Sequence, residues 1–245
     1  MIQRASRKLF HLNRLLSKRG ILTRSQANTA ILAGRVSVNG RVVRDPGIPV
    51  EESARVELDA QATAARVWRT ILFHKPRGVI TTRQDPGGRT TIYDALGDAA
   101  RGLVPVGRLD QATSGLLLLT SDTKFADTMT DPRNAVSRVY VVSVRGNVTR
   151  EHCDRLEQGI VEQGERMKAD EVTLRKSSGR ESHLVVTLTE GKNREIRRLF
   201  EAIGHPVTRL KRVSFGPLSL GDLAPGHWRE LSEADVRKAF PTFAR

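Results

Sequence analysis

Between Val104 and Thr120 the chain reads V-P-V-G-R-L-D-Q-A-T-S-G-L-L-L-L-T, and this stretch holds the residues best suited to chemistry. Arg108 and Asp110 lie two apart in a loop flanked by Gly107 and Gly115, directly before the apolar run Leu116 to Leu119. A carboxylate can act as nucleophile or general base, and a strand anchored in a core holds such a loop rigid. The alternative is a turn aspartate that only accepts backbone N–H bonds, the commoner fate of an Asp near glycine. Other chemistries lack their residues. Gly191-Lys192 is followed by Asn193, and Gly87-Gly88 by Arg89-Thr90, so neither forms a phosphate loop of the type G-x-x-x-x-G-K-[ST]. Ser114 lacks the first glycine of G-x-S-x-G. The histidines stand singly and Cys153 is the one cysteine, so no metal site and no internal disulfide are expected.

The elements that must position this loop are mostly strands. Val67 to Phe73 is apolar and β-branched, is stopped by Lys75-Pro76-Arg77-Gly78, and resumes as Val79 to Thr82. Further strands are expected at Leu116 to Thr120, Val139 to Val144, Val172 to Leu174 and Leu184 to Thr189. Helical spacing appears at Lys124 to Met129, Arg150 to Gln158 and Arg194 to Ile203, where Ile196, Leu199, Phe200 and Ile203 share a face. Strands dominate without regular alternation with helices, which predicts an α+β fold with a mixed, mainly antiparallel sheet and flanking helices.

A smaller unit precedes this one. Leu12, Leu15 and Leu16 share a helical face that ends at Gly20, and Ser25 is a candidate cap for a second helix with Ala27, Ala30 and Ile31 inward. Asn39-Gly40 between Val36-Ser37-Val38 and Arg41-Val42-Val43 reads as a type I′ hairpin turn. The spacing predicts two domains, 1–60 and 67–245, joined by a linker of small residues at 61–66.

Of 245 residues, 41 are Lys or Arg and 27 Asp or Glu, giving a net charge of +14. Residues 1–60 hold eleven of those bases against five acids, the densest positive charge in the chain. Such charge calls for a polyanion, and nucleic acid fits better than a membrane surface; a solvated basic face is the plainer alternative. No apolar run reaches the roughly 18–20 residues of a membrane span, and the segment from Met1 to His11 has no apolar stretch of a secretory signal. A cytoplasmic protein is expected, and a monomer, since no extended apolar heptad appears.

Two resemblances sharpen these readings. L-N-R-L-L-S-K-R-G-I-L-T-R-S-Q-A through G-R-V-S-V-N-G resembles the small RNA-binding module named after a ribosomal small-subunit protein, also called the α-L motif. The resemblance implies RNA contacts from Arg14, Lys18, Arg24, Arg35 and Asn39. Ser25 stands where that module often has a second arginine, which implies one phosphate contact fewer. The run G-R-L-D-x-x-T-S-G-L-L-L-L-T, with H-K-P-R-G-V-I-T-T before it and S-R-V-Y-V-V and E-G-K-N-R-E-I-R-R-L-F-E-A-I-G after it, resembles the RsuA/RluB branch of pseudouridine synthases over about residues 10–232. His74 departs from the Asn more usual before Lys-Pro and is expected to alter local hydrogen bonding only.

That resemblance implies an isomerase of ribosomal RNA, free or in a pre-ribosomal particle, needing no cofactor. The segments Asp85 to Thr91 and Arg194 to Arg198 look more like the large-subunit members. It implies Asp110 as the catalytic carboxylate, kept ionised by Arg197, and Tyr140 stacked on the target base. Arg108 would hold or replace a nucleotide flipped out of the RNA, Lys192 would supply charge, and Leu199 would line the uracil pocket. Each has a plainer alternative: a helix-surface charge for Arg197, a core side chain for Tyr140 and Leu199, a phosphate contact for Arg108. A catalytically silent RNA-binding assembly factor on the same fold is the competing reading of function.

Overall fold

The computed structural model describes residues 9–59, 68–162 and 164–241, in two compact units, Met1–Val67 and Trp68–Arg245. The linker expected at 61–66 lies outside the described residues.

The first unit runs β1 (Leu9–His11), α1 (Leu12–Lys18), α2 (Arg24–Leu32), β2 (Val36–Val38), β3 (Arg41–Val43), β4 (Pro49–Glu51) and β5 (Val56–Leu58). The two helices bury Leu12, Leu15, Leu16, Ala27, Ala30 and Ile31 against Val36 and Val50. Strand β2 pairs with β3 and β5, and β1 with β4. The cap of α2 corrects the expected Ser25. Thr23 accepts from Gln26 N, and the Gln26 side chain accepts from Thr23 N at 3.1 Å, a reciprocal box that Ser25, already inside the first turn, cannot form. Asn39 and Gly40 turn the β2–β3 hairpin with φ of 51° and 80°, the two positive angles a type I′ turn requires.

The second unit is built on β6 (Thr70–Lys75), α3 (Ile92–Leu96), β7 (Val104–Pro105), β8 (Ser114–Thr120), α4 (Thr123–Thr130), β9 (Arg138–Arg145) and α5 (Arg150–Gln158). The hairpin β10 (Ile160–Glu162) and β11 (Glu165–Met167) follows, then β12 (Glu171–Lys176), β13 (Glu181–Leu188), α6 (Glu195–Ala202), β14 (Val207–Phe215), β15 (Leu218–Ser219), β16 (Trp228–Leu231) and α7 (Glu233–Ala239). A nine-stranded sheet runs β12-β13-β9-β14-β8-β6-β16, with β15 on β14 and β7 on β8. Strand β14 is parallel to β8 and the other ladders of this sheet are antiparallel, so the fold is α+β with a mixed, mainly antiparallel sheet.

Both faces of the sheet are covered, which explains why the leucine run shows no alternation. Leu117 and Leu119 point to the layer of α3, α5 and α6, while Leu116 and Leu118 point to α4 and α7. The segment from Val79 to Thr82, expected as a strand, forms no ladder among the described residues and makes the single isolated bridge Ile80 to Thr91. Pro76 and Gly78, the latter at φ 90°, break the ladder after Lys75. Helix α6 begins one residue later than expected, because Arg194 takes a left-handed conformation at its cap.

Candidate active site

The freed segment after β6 clamps the Asp110 loop. Thr81 Oγ1 donates to Leu109 O at 2.8 Å and accepts from Leu109 N, while Gly78 N donates to Gln111 O at 2.8 Å. Thr113 N closes a turn on Asp110 O at 3.0 Å, so the backbone carbonyl, not the side chain, serves the turn. Among the described residues no hydrogen bond reaches the Asp110 carboxylate, which is half-buried and left available. Behind the loop β8 passes β14 at Gly115, in register with Arg212. Its φ is +113°, and a Cβ there would stand 2.1 Å from Arg212 O, so glycine alone permits this approach.

Asp110 opens on a cavity of about 180 Å³ whose wall also includes Arg108, Tyr140, Lys192 and Arg197. The loop before β8, β9, the turn before α6 and α6 itself thus bring together five residues from four parts of the chain. Leu199 lies on the buried face of α6 at 1% exposure, packed in the core, its plainer alternative, and is not part of the cavity wall. Tyr140 serves both core and cavity wall at 9% exposure.

Arg197 is tied to backbone rather than to a carboxylate. Its Nη1 donates to Val207 O and its Nη2 to Ala112 O, both at 3.3 Å, and among the described residues it forms no ion pair. It therefore steadies the Asp110 loop through Ala112. Burial lowers the Arg197 guanidinium from its ordinary value, Arg194 adds to the shift, and Asp110 opposes it. Lys192 pairs with Glu190 at 2.6 Å and donates to Arg166 O.

Four further side chains at this site escaped the sequence reading. Lys75 is fully buried, donates to Val79 O at 2.6 Å and Pro76 O at 3.0 Å, and is pulled down to about 8 by burial against the opposing charge of Asp110. Arg138 donates to Thr189 O at 2.7 Å and lies 5.3 Å from the Phe215 ring centre. Arg138, Arg212 and Glu195 line the cavity, the last two at 2% and 3% exposure, whereas Lys75 is not part of its wall. The signals were present in H-K-P-R and R-L-K-R-V-S-F, but burial of a charge is a tertiary property that spacing does not display. His74 donates from Nδ1 to Leu223 O at 2.6 Å and does not line the cavity.

In the first unit Arg14, Lys18, Arg24 and Asn39 are exposed and Arg35 half-buried. Lys18 forms an ion pair with Glu52 and lies 4.3 Å from the Phe10 ring centre, whereas Arg14 and Arg24 have no ion pair among the described residues. Asn39 Oδ1 accepts from Arg55 N at 3.1 Å, which assigns the side chain to the turn.

A free carboxylate in a cavity walled by guanidinium groups, on a mixed sheet and in a chain with a separate basic helical unit, defines the class: an enzyme acting on a nucleic acid. A family model for RNA pseudouridylate synthase matches residues 69–202, and one for the S4 domain matches residues 12–56. The chain belongs to the RNA pseudouridylate synthase family, on the RsuA/RluB side that the sequence motifs indicate. It is 36% identical over 229 residues to ribosomal large subunit pseudouridine synthase B of Bacillus subtilis, covering 93% of this chain and 94% of that one. An uncharacterized RNA pseudouridine synthase of Aquifex aeolicus is 38% identical over 231 residues, 94% of this chain and 93% of that one. A crystal structure of a pseudouridylate synthase superposes with a TM-score of 0.67 at 26% identity, covering 93% of this chain and 98% of that one.

Proposed function

We propose that the protein isomerises one uridine of large-subunit ribosomal RNA to pseudouridine, with Asp110 as the catalytic carboxylate. The observation that carries this reading is the Asp110 carboxylate, which accepts no hydrogen bond among the described residues, facing a cavity shared with Arg108, Tyr140, Lys192 and Arg197. Relatives that are large-subunit pseudouridine synthases, that of Bacillus subtilis among them, support the choice of RNA.

The reaction breaks the bond from ribose C1′ to uracil N1 and forms one from C1′ to C5. A proton leaves C5 and N1 gains one, so atoms and electrons balance without an oxidant, a metal or a nucleotide. Asp110 works on the ribose or its anomeric hydrogen from the loop clamped by Thr81. Tyr140 presents its ring to the base and its hydroxyl to the proton that leaves C5. A stacked uridine is out of reach in RNA and must be extruded; the exposed Arg108 at the cavity mouth holds it or fills the gap. Residues 1–60 supply affinity through Arg14, Lys18, Arg24 and Arg35, with Asn39 shaping the hairpin. The working form is a cytoplasmic monomer acting on ribosomal RNA or a pre-ribosomal particle, and light scattering checks the monomer.

The test incubates wild type and Asp110→Ala with unmodified large- and small-subunit ribosomal RNA and maps pseudouridine by carbodiimide primer extension. One stop in the large-subunit RNA, made by wild type alone, is expected. A stop made by Asp110→Ala would overturn the role of Asp110. A stop confined to small-subunit RNA would overturn the substrate, and binding without any stop would favour the silent assembly factor.

A further inference from the structure

Glu190 Oε2 aside, which is ion-paired to Lys192, four buried polar atoms around the cavity have no hydrogen-bond partner among the described residues: Thr113 Oγ1, Glu195 Oε1, Arg197 Nε and Arg212 Nη2. Buried polar groups are nearly always satisfied, and an orphan lowers the stability of the ligand-free protein, so a cluster at one cavity marks where a ligand completes the bonding. Two of the four belong to charged residues that are more than nine-tenths buried, Glu195 at 3% and Arg212 at 2% exposure. The rest of each side chain is fixed. Glu195 Oε2 accepts from Lys192 N at 3.2 Å, Arg212 Nε donates to Leu116 O at 2.7 Å, and the Arg212 guanidinium lies 5.2 Å from the Phe215 ring centre. Each therefore holds one unused group in place, an acceptor on Glu195 and a donor on Arg212.

We infer that Glu195 and Arg212 form the subsite that reads the imide edge of the extruded uracil and holds the base while it turns. This rests on the pseudouridine reading above. Uracil presents N3–H between two carbonyls; Glu195 Oε1 accepts from N3–H and Arg212 Nη2 donates to the adjacent carbonyl oxygen. Cytosine reverses both polarities, with a bare N3 and an amino group in place of O4, so acceptor would meet acceptor and donor would meet donor.

The same pair suits the turn itself. Rotation about the axis through N3 and C6 exchanges N1 with C5 and O2 with O4 but leaves N3–H where it was. The contact to Glu195 persists throughout, and Arg212 faces a carbonyl before and after. When the C1′–N1 bond breaks, the electron pair delocalises onto the base oxygens, and the Arg212 cation faces that charge. Burial raises the Glu195 carboxyl from its ordinary value, which limits repulsion from the same anion.

Large-subunit ribosomal RNA labelled with tritium at uridine C5 tests the assignment, because C5 loses its hydrogen on isomerisation. Glu195→Gln keeps the shape and is expected to lower kcat about ten- to a hundredfold, the range of one bidentate base contact, with KM changed less than about twofold. Arg212→Lys is expected to lower kcat similarly. A second readout separates recognition from mere structure. In the inactive Asp110→Ala protein, an RNA fragment with the modified uridine should bind about tenfold tighter than one with cytidine there, and adding Glu195→Gln should erase the gap. Wild-type kcat in Glu195→Gln, or a gap that survives in the double variant, would overturn the inference. Should Glu195→Gln fail to fold by thermal melt, absence of the gap in Asp110→Ala alone overturns it. If wild type itself releases no tritium, the pseudouridine reading falls and this inference with it, a result recognised because all variants then behave alike.

Discussion

Positive charge is used in two different ways in this chain. In the first unit most of the described cations face water: Arg14 and Arg24 are exposed, and Arg55, its side chain 80% exposed, pairs with Glu57 at 2.6 Å. Around the cavity Lys75, Arg138 and Arg212 are 0%, 7% and 2% exposed, and each donates to backbone carbonyls. Exposed charges attract a polyanion by releasing its counterions, without reading its sequence and with strong dependence on salt. Buried charges carry a desolvation penalty and are screened little, so they persist only where carbonyls or a ligand compensate them. On the proposed reading, the difference gives affinity mainly to the first region and chemistry to the second.

The largest expected effect tests that division directly. Asp110→Ala should lower kcat on ribosomal RNA about 10⁴-fold, at the upper end of what one acid or base group supplies, while RNA affinity in filter binding stays within about twofold. Loss of affinity comparable to the loss of rate would break the comparison, because the cavity and not the first unit would then supply most of the binding.

Next in size is Gly115→Ala, which attacks the cavity through its backbone. A methyl 2.1 Å from Arg212 O at φ +113° must push β8 from β14, and a loss of about 3 kcal/mol or more in chemical denaturation is expected. An equally stable variant would show that the two strands can separate and that the cavity is less rigid than its hydrogen bonds imply.

How legible this was follows the same division. The first unit depends on local features, helical stripes and an Asn-Gly turn, and these are visible in the chain; the cap moved from Ser25 to Thr23 because a capping box needs Gln26 three residues on. In the second unit the leucine strand and the Arg108 to Asp110 loop were visible, but β14 was not. Its alternation of Val207, Arg209, Leu210 and Arg212 reads as a solvated charged stretch, yet its place between β9 and β8 buries Arg212. Helices α3 and α7, only five and seven residues long, have too few turns for a periodic signal. Glu195 and Lys75 were hidden for the reason Arg212 was, since only the assembled sheet removes them from water.

A smaller effect belongs to Lys75. Its folded pKa of about 8 lies below the ordinary lysine value of 10.5, so between those values the unfolded chain binds more protons than the folded one. Stability from this group therefore rises with pH across that window, by at most about 1.4 kcal/mol per pH unit, and is flat below it. Melting wild type and Lys75→Met from pH 7 to 10 should show the difference, wild type minus variant, growing above pH 8. A constant difference would mean that Lys75 reaches water and belongs with the exposed cations after all.

The smallest effects lie in the first unit and carry the other half of the comparison. Arg24 is the first residue of α2, where the helix dipole is positive and a cation is unfavourable by roughly 0.3–1 kcal/mol, and it has no ion pair among the described residues to offset that. On the proposed reading an RNA phosphate is the partner that relieves it. Arg24→Ala and Arg14→Ala should each weaken RNA binding a few-fold and reduce the slope of log affinity against log salt by about one, with kcat at saturating RNA unchanged. A lower kcat at saturation would show that these exposed charges set the geometry of the reacting uridine, and the separation of affinity from chemistry would fail at its weaker end.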